Sequence, residues 1–375
     1  MAGIYVHIPF CNKACHYCDF HFSTSFKTKD QIINSINKEI HFRKDYLGAE
    51  NINTIYFGGG TPSVLDKVDL ESILNNINQC FFISHNPEIT IEINPNDVSN
   101  QKIIDYMSLG INRVSIGGQS FCDQQLAKLN RSHTSDDVIN CVKLIQDAGI
   151  TNLNLDLMYG LPGMSNKSWQ ENLKKAVDLE ITHLSCYCLT IERGTVFHKM
   201  VKDGNLKIDT DQKIKSQFLI MRKFLIKNHF DHYEISNFSK KKYESKHNTS
   251  YWNRDKYLGL GPSAHSYNGK ERHWNISHNI KYIKALETGV SFFEEEVLTK
   301  KNIINEYILM GLRTNKGVSF QKILPMLNRK EKLNMFNQIN NFSKQSLIDI
   351  KENYFFLTEN GMILCDKITS DLFLV

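Results

Sequence analysis

Short apolar runs alternate with longer amphipathic ones from residue 3 to about residue 190, and this alternation limits the fold more than any other feature of the chain. Runs at Ile4–Ile8, Ile52–Phe57, Glu88–Ile93, Arg113–Ile116, Leu153–Met158 and His183–Leu189 read as strands. Between them apolar residues recur at helical spacing: Leu70, Ile73, Leu74, Ile77 and Phe81 in one segment, Val138, Cys141, Val142 and Ile145 in another. Thr134 with Asp137 and Ser168 with Glu171 have the spacing of capping boxes, and Gly110 and Gly149 close their helices. Six strand–helix units in succession predict a parallel sheet covered by helices. The expected fold is α/β: an open, partial (β/α)6 barrel whose site lies at the C-terminal ends of the strands.

The unusual polar residues fall at those strand ends. Directly after the first strand come Cys11, Cys15 and Cys18, spaced C-x3-C-x2-C. Three thiolates hold three irons of a 4Fe–4S cubane and leave the fourth iron open to a small ligand. A structural zinc site would want a fourth Cys or His at paired spacing, usually in a second pair far down the chain. A disulfide is not expected, because no secretory signal precedes residue 5 and the expected compartment is the reducing cytoplasm. The other cysteines (Cys80, Cys122, Cys141, Cys186, Cys188 and Cys365) sit in apolar patterns and read as ordinary buried thiols.

The second strand is followed by Gly58, Gly59, Gly60, Thr61 and Pro62. Such a run either lets backbone groups approach a ligand or makes a tight turn. Glu92 ends the third strand, where its carboxylate either accepts hydrogen bonds from ribose hydroxyls or is simply solvated. The fourth strand leads into Gly117, Gly118, Gln119 and Ser120, Arg131 follows a short helix, and the fifth strand carries Asn154 and Asp156.

Together with the cysteine motif, these residues resemble the radical S-adenosylmethionine (SAM) superfamily. Within it they resemble the HemN/HemW branch, which holds the oxygen-independent coproporphyrinogen III dehydrogenases and the HemW-type heme chaperones. The resemblance covers essentially the whole chain. It implies that Cys11, Cys15 and Cys18 ligate a 4Fe–4S cluster whose open iron takes SAM. It also implies that Tyr5, Gly59 and Glu92 contact that SAM, and that Gly60, Thr61, Gln119, Arg131 and Asp156 contact a second SAM position known in the dehydrogenase. Two departures separate the chain from the dehydrogenase pattern. Phe20 stands where that pattern has a further cysteine, and only four residues precede Tyr5 where the dehydrogenase carries a long extension. Both count against decarboxylation of a porphyrinogen, which remains the alternative activity.

The second half carries His247, Asn248, Thr249, Ser250, Tyr251 and Trp252, an H-N-x-x-Y-W loop that resembles HemW and is not a dehydrogenase feature. An imidazole beside aromatic rings offers an axial iron ligand and apolar faces for a macrocycle. The alternative is a histidine hydrogen-bonded within its loop, with Tyr251 and Trp252 in the core. His247 is the expected heme ligand, and His229, His232 and His265 are rivals. The implied role is a heme chaperone that passes heme to an acceptor protein.

A helix at about Asp209–Asn228 and a strand at Tyr233–Phe238 precede this loop, and the glycine-rich stretch Leu258–Ser266 is expected to return to the mouth of the barrel and close the SAM site. From about Glu296 helices at Ile303–Leu312, Phe320–Leu327 and Glu331–Phe342 precede a hairpin at Leu347–Lys351 and Tyr354–Thr358, a winged-helix-like pattern. The expected domains are a core at 1–235, a connecting region at 236–295 and a C-terminal domain at 296–375. The 45 basic and 40 acidic side chains nearly cancel and form no basic stripe. Nucleic acid is therefore not an expected partner, and the C-terminal module reads as a lid or docking domain. No apolar run approaches the ~20 residues that span a bilayer, which leaves only peripheral membrane contact open.

Overall fold

The computed structural model describes residues 2–374. Its first six strands are β1 (Ala2–Ile8), β2 (Ile52–Gly59), β3 (Ile83–Ile93), β4 (Arg113–Gln119), β5 (Leu153–Tyr159) and β6 (His183–Cys188). Each pairs in parallel with the next, with helices in the crossovers. The arc does not close, because β1 and β6 take other partners. They are followed by β7 (Asp231–Glu234), β8 (Asn237–Ser239), β9 (Lys256–Leu260), β10 (His265–Tyr267), β11 (Glu271–Asn275) and β12 (Phe293–Val297). The sheet runs β12-β11-β10-β9-β1-β2-β3-β4-β5-β6-β8-β7, with β9 parallel to β1 and β8 antiparallel to β6. The expected partial (β/α)6 barrel is the fold observed.

The two-residue period of each strand sorts its side chains. Ile4, Val6 and Ile8 of β1, Ile55 and Phe57 of β2, Ile91 and Ile93 of β3, and Leu155 and Leu157 of β5 are buried in one core with the helices. The alternate residues face the barrel interior and bond across it. Asn154 Nδ2 donates to Ser115 Oγ at 2.8 Å, and its Oδ1 lies 2.6 Å from His183 Nδ1. A parallel sheet covered by helices can thus hold a polar lumen, which positions everything that follows.

Helix ends agree in part with expectation. The Thr134–Asp137 capping box forms, and Gly110 and Gly149 adopt left-handed φ just beyond their helices. The Ser168–Glu171 box does not form. Helix Asn166–Asp178 begins a turn earlier, and Ser165 caps it by accepting from Ser168 N. The expected strand Tyr233–Phe238 is two short antiparallel strands, since Glu234 accepts from Ser236 N and turns the chain between them. The H-N-x-x-Y-W stretch is not a loop but the helix Lys246–Trp252, capped by Ser245.

Residues 236–295 extend the barrel sheet and share its core up to Phe292. A buried carboxylate ties them in. Glu39, on helix Lys29–Phe42, accepts from Gly261 N and Asn275 Nδ2, each at 2.8 Å, and from Tyr282 Oη. The C-terminal module has helices Lys300–Leu312, Phe320–Ile323 and Arg329–Lys344. Its strands β13 (Val318–Ser319), β14 (Ile348–Lys351) and β15 (Tyr354–Leu357) form an antiparallel sheet in the order β13-β15-β14. It has its own core, which includes Ile304, Ile308, Ile339 and Phe355. Among the described residues no helix is long and apolar enough to cross a membrane.

Candidate cluster and ligand site

Beyond β1 the chain enters the cysteine loop, whose two ends are clamped together. Cys11 N donates to Ser23 O at 3.0 Å and Ser23 N donates to Pro9 O at 2.9 Å. The loop also docks on residues 128–130. Its His16 N donates to Leu129 O at 3.1 Å, and Asn130 Nδ2 donates to Ala14 O at 2.7 Å. Cys11, Cys15 and Cys18 are free, half-buried thiols that line a cavity of about 430 Å³ at the C-terminal ends of the strands. Thr61 Oγ1 donates to Cys11 Sγ at 3.3 Å and Arg131 Nη1 donates to Cys15 Sγ at 3.4 Å.

This donor set fits a 4Fe–4S cluster: three thiols on one loop line the cavity, and Thr61 and Arg131 donate to two of them. A cationic donor beside Cys15 suits a thiolate, as charge-assisted hydrogen bonds do.

The same cavity is lined by Gly59, Gly60, Thr61, Glu92, Gln119, Arg131 and Asp156. Two of the glycines are required by close approach, Gly60 to backbone and Gly59 to a side chain. A Cβ on Gly60 would lie 2.6 Å from Phe10 O, and Gly59 has φ +109 with the His7 ring 2.6 Å from where its Cβ would be. The run therefore lets the end of β2 close against the end of β1. Glu92 accepts from Tyr56 Oη at 2.8 Å. Burial pushes its carboxyl up to about 7, opposed by the Tyr56 bond and reinforced by Asp156. Burial likewise raises Asp156, which accepts from Asn154 Nδ2 at 2.8 Å. Arg131 also donates to Gly117 O at 2.7 Å and to Asn94 Oδ1, while its buried Nε has no partner. Gln119 and Asn130, both on the cavity wall, hold left-handed φ of 64 and 59.

The sequence reading missed Asn94, Tyr187 and Cys188 on this wall. Cys188 is half-buried there rather than a scattered core thiol. The alternation signals Tyr187, since it lies two residues beyond the inward-facing Ser185 on β6.

Tyr5 and His247 lie elsewhere. Tyr5 lines a second cavity, of about 450 Å³, with His7, Tyr251, Arg254, His265 and Arg272, and Asp19 and Phe20 border both cavities. His247 lines neither and is 1 % exposed. Its Nδ1 is 2.7 Å from Thr54 Oγ1, its Nε2 2.8 Å from Tyr251 Oη, and its backbone N donates to Glu88 Oε1 at 3.0 Å. With both ring nitrogens engaged it offers no free position to an iron in this arrangement. Of its rivals, His232 stacks on Phe238 at 4.0 Å and His229 lies just beyond the helix Asp211–Lys227, neither on the wall of these two cavities, whereas His265 is on the wall of the second.

A sequence model of the radical SAM superfamily matches residues 5–176, and one of the HemN C-terminal domain matches residues 298–364. The heme chaperone HemW of Bacillus subtilis is 32% identical over 98% of both chains. That of Lactococcus lactis is 36% identical over 85% of this chain and 83% of its own length. Among solved structures, the radical SAM enzyme coproporphyrinogen III oxidase (HemN) of Escherichia coli superposes with a TM-score of 0.85 over 99% of this chain and 89% of its own. At 22% identity that match establishes the fold alone. On its identity to relatives matched over nearly their whole length, the chain belongs to the HemW family of the radical SAM superfamily.

Proposed function

We propose that this protein is a heme carrier that binds a 4Fe–4S cluster and SAM and hands heme to an acceptor protein, in the cytoplasm. The observation that carries the cofactor half is the convergence of ten residues, namely Cys11, Cys15, Cys18, Gly59, Gly60, Thr61, Glu92, Gln119, Arg131 and Asp156, on one cavity. The carrier half rests on the full-length kinship with proteins named heme chaperones.

Cys11, Cys15 and Cys18 would hold the cluster, which when bound supplies single electrons at its open iron. Glu92 on β3 and Asp156 on β5, both on the cavity wall, would accept hydrogen bonds from hydroxyl or ammonium groups of SAM. Arg131 would neutralise a carboxylate or a ligating thiolate, and Thr61 would orient Cys11. Phe20, 67 % exposed at the rim, offers an apolar cover but no metal ligand, so the loop lacks the further thiol of the dehydrogenase pattern.

Two assays test this reading. Titration with hemin should give a saturable Soret change at one equivalent. An anaerobic incubation with coproporphyrinogen III, SAM and reductant should give no protoporphyrinogen. Turnover without stoichiometric heme binding would replace the carrier by the dehydrogenase.

A further inference from the structure

The second cavity lies beside the cluster chamber, across Asp19 and Phe20, and of the expected cofactor residues Tyr5 alone lines it. We infer that it is the heme seat, with His265 as the iron ligand and Arg254 and Arg272 as the partners of the two propionates; this rests on the carrier reading above.

Heme needs a flat apolar slot, a nitrogen or sulfur ligand and cations at one edge. Four tyrosines, Tyr5, Tyr251, Tyr257 and Tyr267, give the wall its ring surface, with Tyr251 edge-on to Tyr257 at 4.6 Å between ring centres, and Asp19, Asp255, Ser263 and Ser277 complete it. Phe20 extends it towards solvent. For the ligand, the histidines on the wall differ in what they have free. His7 Nε2 donates to His21 O at 2.9 Å and its Nδ1 faces Tyr5 Oη at 3.2 Å. His21 Nε2 lies 2.7 Å from Asn279 Oδ1. The His265 imidazole makes no hydrogen bond with any described residue and is exposed at the start of β10.

The cationic edge is built and incompletely satisfied. Arg254 Nη2 is 3.3 Å and Arg272 Nη2 2.8 Å from the Glu306 carboxylate. The buried Nε of each guanidinium has no partner. Arg254 and Ser263, both on this wall, are non-glycine residues held at left-handed φ of 60 and 66. Such strain persists where surrounding structure imposes it and clusters at ligand sites. Glu306 belongs to helix Lys300–Leu312 of the C-terminal module, which also places Met310 on the cavity wall. Its carboxylate occupies the position a propionate would take, so heme and Glu306 compete for the same two cations. His247, behind the wall, fixes the Tyr251 hydroxyl and so shapes the slot without touching iron.

Titrations of the purified full chain with hemin and with iron-free protoporphyrin IX decide this. For His265→Ala the hemin complex should lose its histidine-ligated Soret and electron paramagnetic resonance signature, while protoporphyrin IX affinity stays within about twofold. Arg272→Gln should weaken both ligands by roughly 10- to 100-fold, the range of one lost charge-assisted hydrogen bond. Glu306→Gln should tighten both. Hemin binding by His265→Ala and Arg272→Gln indistinguishable from wild type overturns the assignment. So does loss of the histidine signature in folded His247→Ala alone, which would return the iron to His247. If wild type binds no hemin at all, the carrier reading itself fails and the seat falls with it.

Discussion

The guanidinium of Arg131 reaches Cys15 Sγ at 3.4 Å, although 116 residues separate the two in sequence. The same group donates to Gly117 O at the end of β4, so it joins the cysteine loop to the strand ends that line the cavity. Replacing it by glutamine should leave three thiols able to assemble a cluster while removing the charge. SAM affinity should then fall roughly 10- to 100-fold, the equivalent of ~1.5–3 kcal/mol. Calorimetry on reconstituted protein reads this directly, and unchanged affinity with an intact cluster would place SAM elsewhere.

Single replacement of Cys11, Cys15 or Cys18 by alanine should abolish a stable, SAM-responsive cluster. Each thiol sits on the same clamped loop, and none of the other cysteines replaces it there; Cys188 approaches the cavity from β6 instead. Iron and sulfide analysis with electron paramagnetic resonance checks the three variants. A full cluster in any of them would contradict the assignment.

Glu92 links the lumen to pH. Its carboxyl titrates near 7 in the folded chain against an ordinary value of 4.5, because burial disfavours the charge. The folded state therefore holds this proton more tightly than the unfolded one. The stability it contributes is fully present below about 4.5 and is lost as pH rises through about 7. Glu92→Gln, which cannot ionise, should raise the melting temperature at pH 8 and change it little at pH 5. A shift equal at both pH values would show that the carboxyl is not the titrating group.

Glu39 is fully buried and accepts three hydrogen bonds from the segment 261–282. Arg43, which caps the C-terminus of the same helix, lies 3.9 Å away and is itself buried. Glu39→Ala removes the carboxylate beside that cation and the acceptor of the Gly261 N and Tyr282 Oη donors, while Asn275 Nδ2 keeps Gly261 O and Arg43 keeps the His273 ring. Removal of one partner of a buried charged pair costs about 3–5 kcal/mol. Urea unfolding should show a loss of that order, with Glu39→Gln losing less because it keeps an acceptor. A loss below 1 kcal/mol would mean that water replaces the carboxylate.

The cysteine loop and strand-end residues were legible in the sequence because a run of parallel βα units brings every strand's C-terminal end to one rim. Locating Cys18, Thr61, Glu92, Arg131 and Asp156 along the chain is then nearly equivalent to locating them in space. The helix faces followed from periodicity for the same reason: they depend on residues three and four apart. Where a decision depended on distant residues, periodicity was silent. Both Ser165 and Ser168 can cap a helix, and the structure takes the earlier start, where Asn166 Nδ2 donates to Ser216 Oγ 50 residues away. His247 reads alike as a ligand or a core residue in one dimension; Thr54, 193 residues away, and Tyr251 take up its two nitrogens. The second cavity was invisible for a related reason. Its walls come from β1, the cysteine loop, β9 to β11 and a helix of the C-terminal module, and only the parallel pairing of β9 with β1 brings them together. Local pattern fixes local geometry, whereas a site assembled from non-local pairings exists only once the sheet order is known.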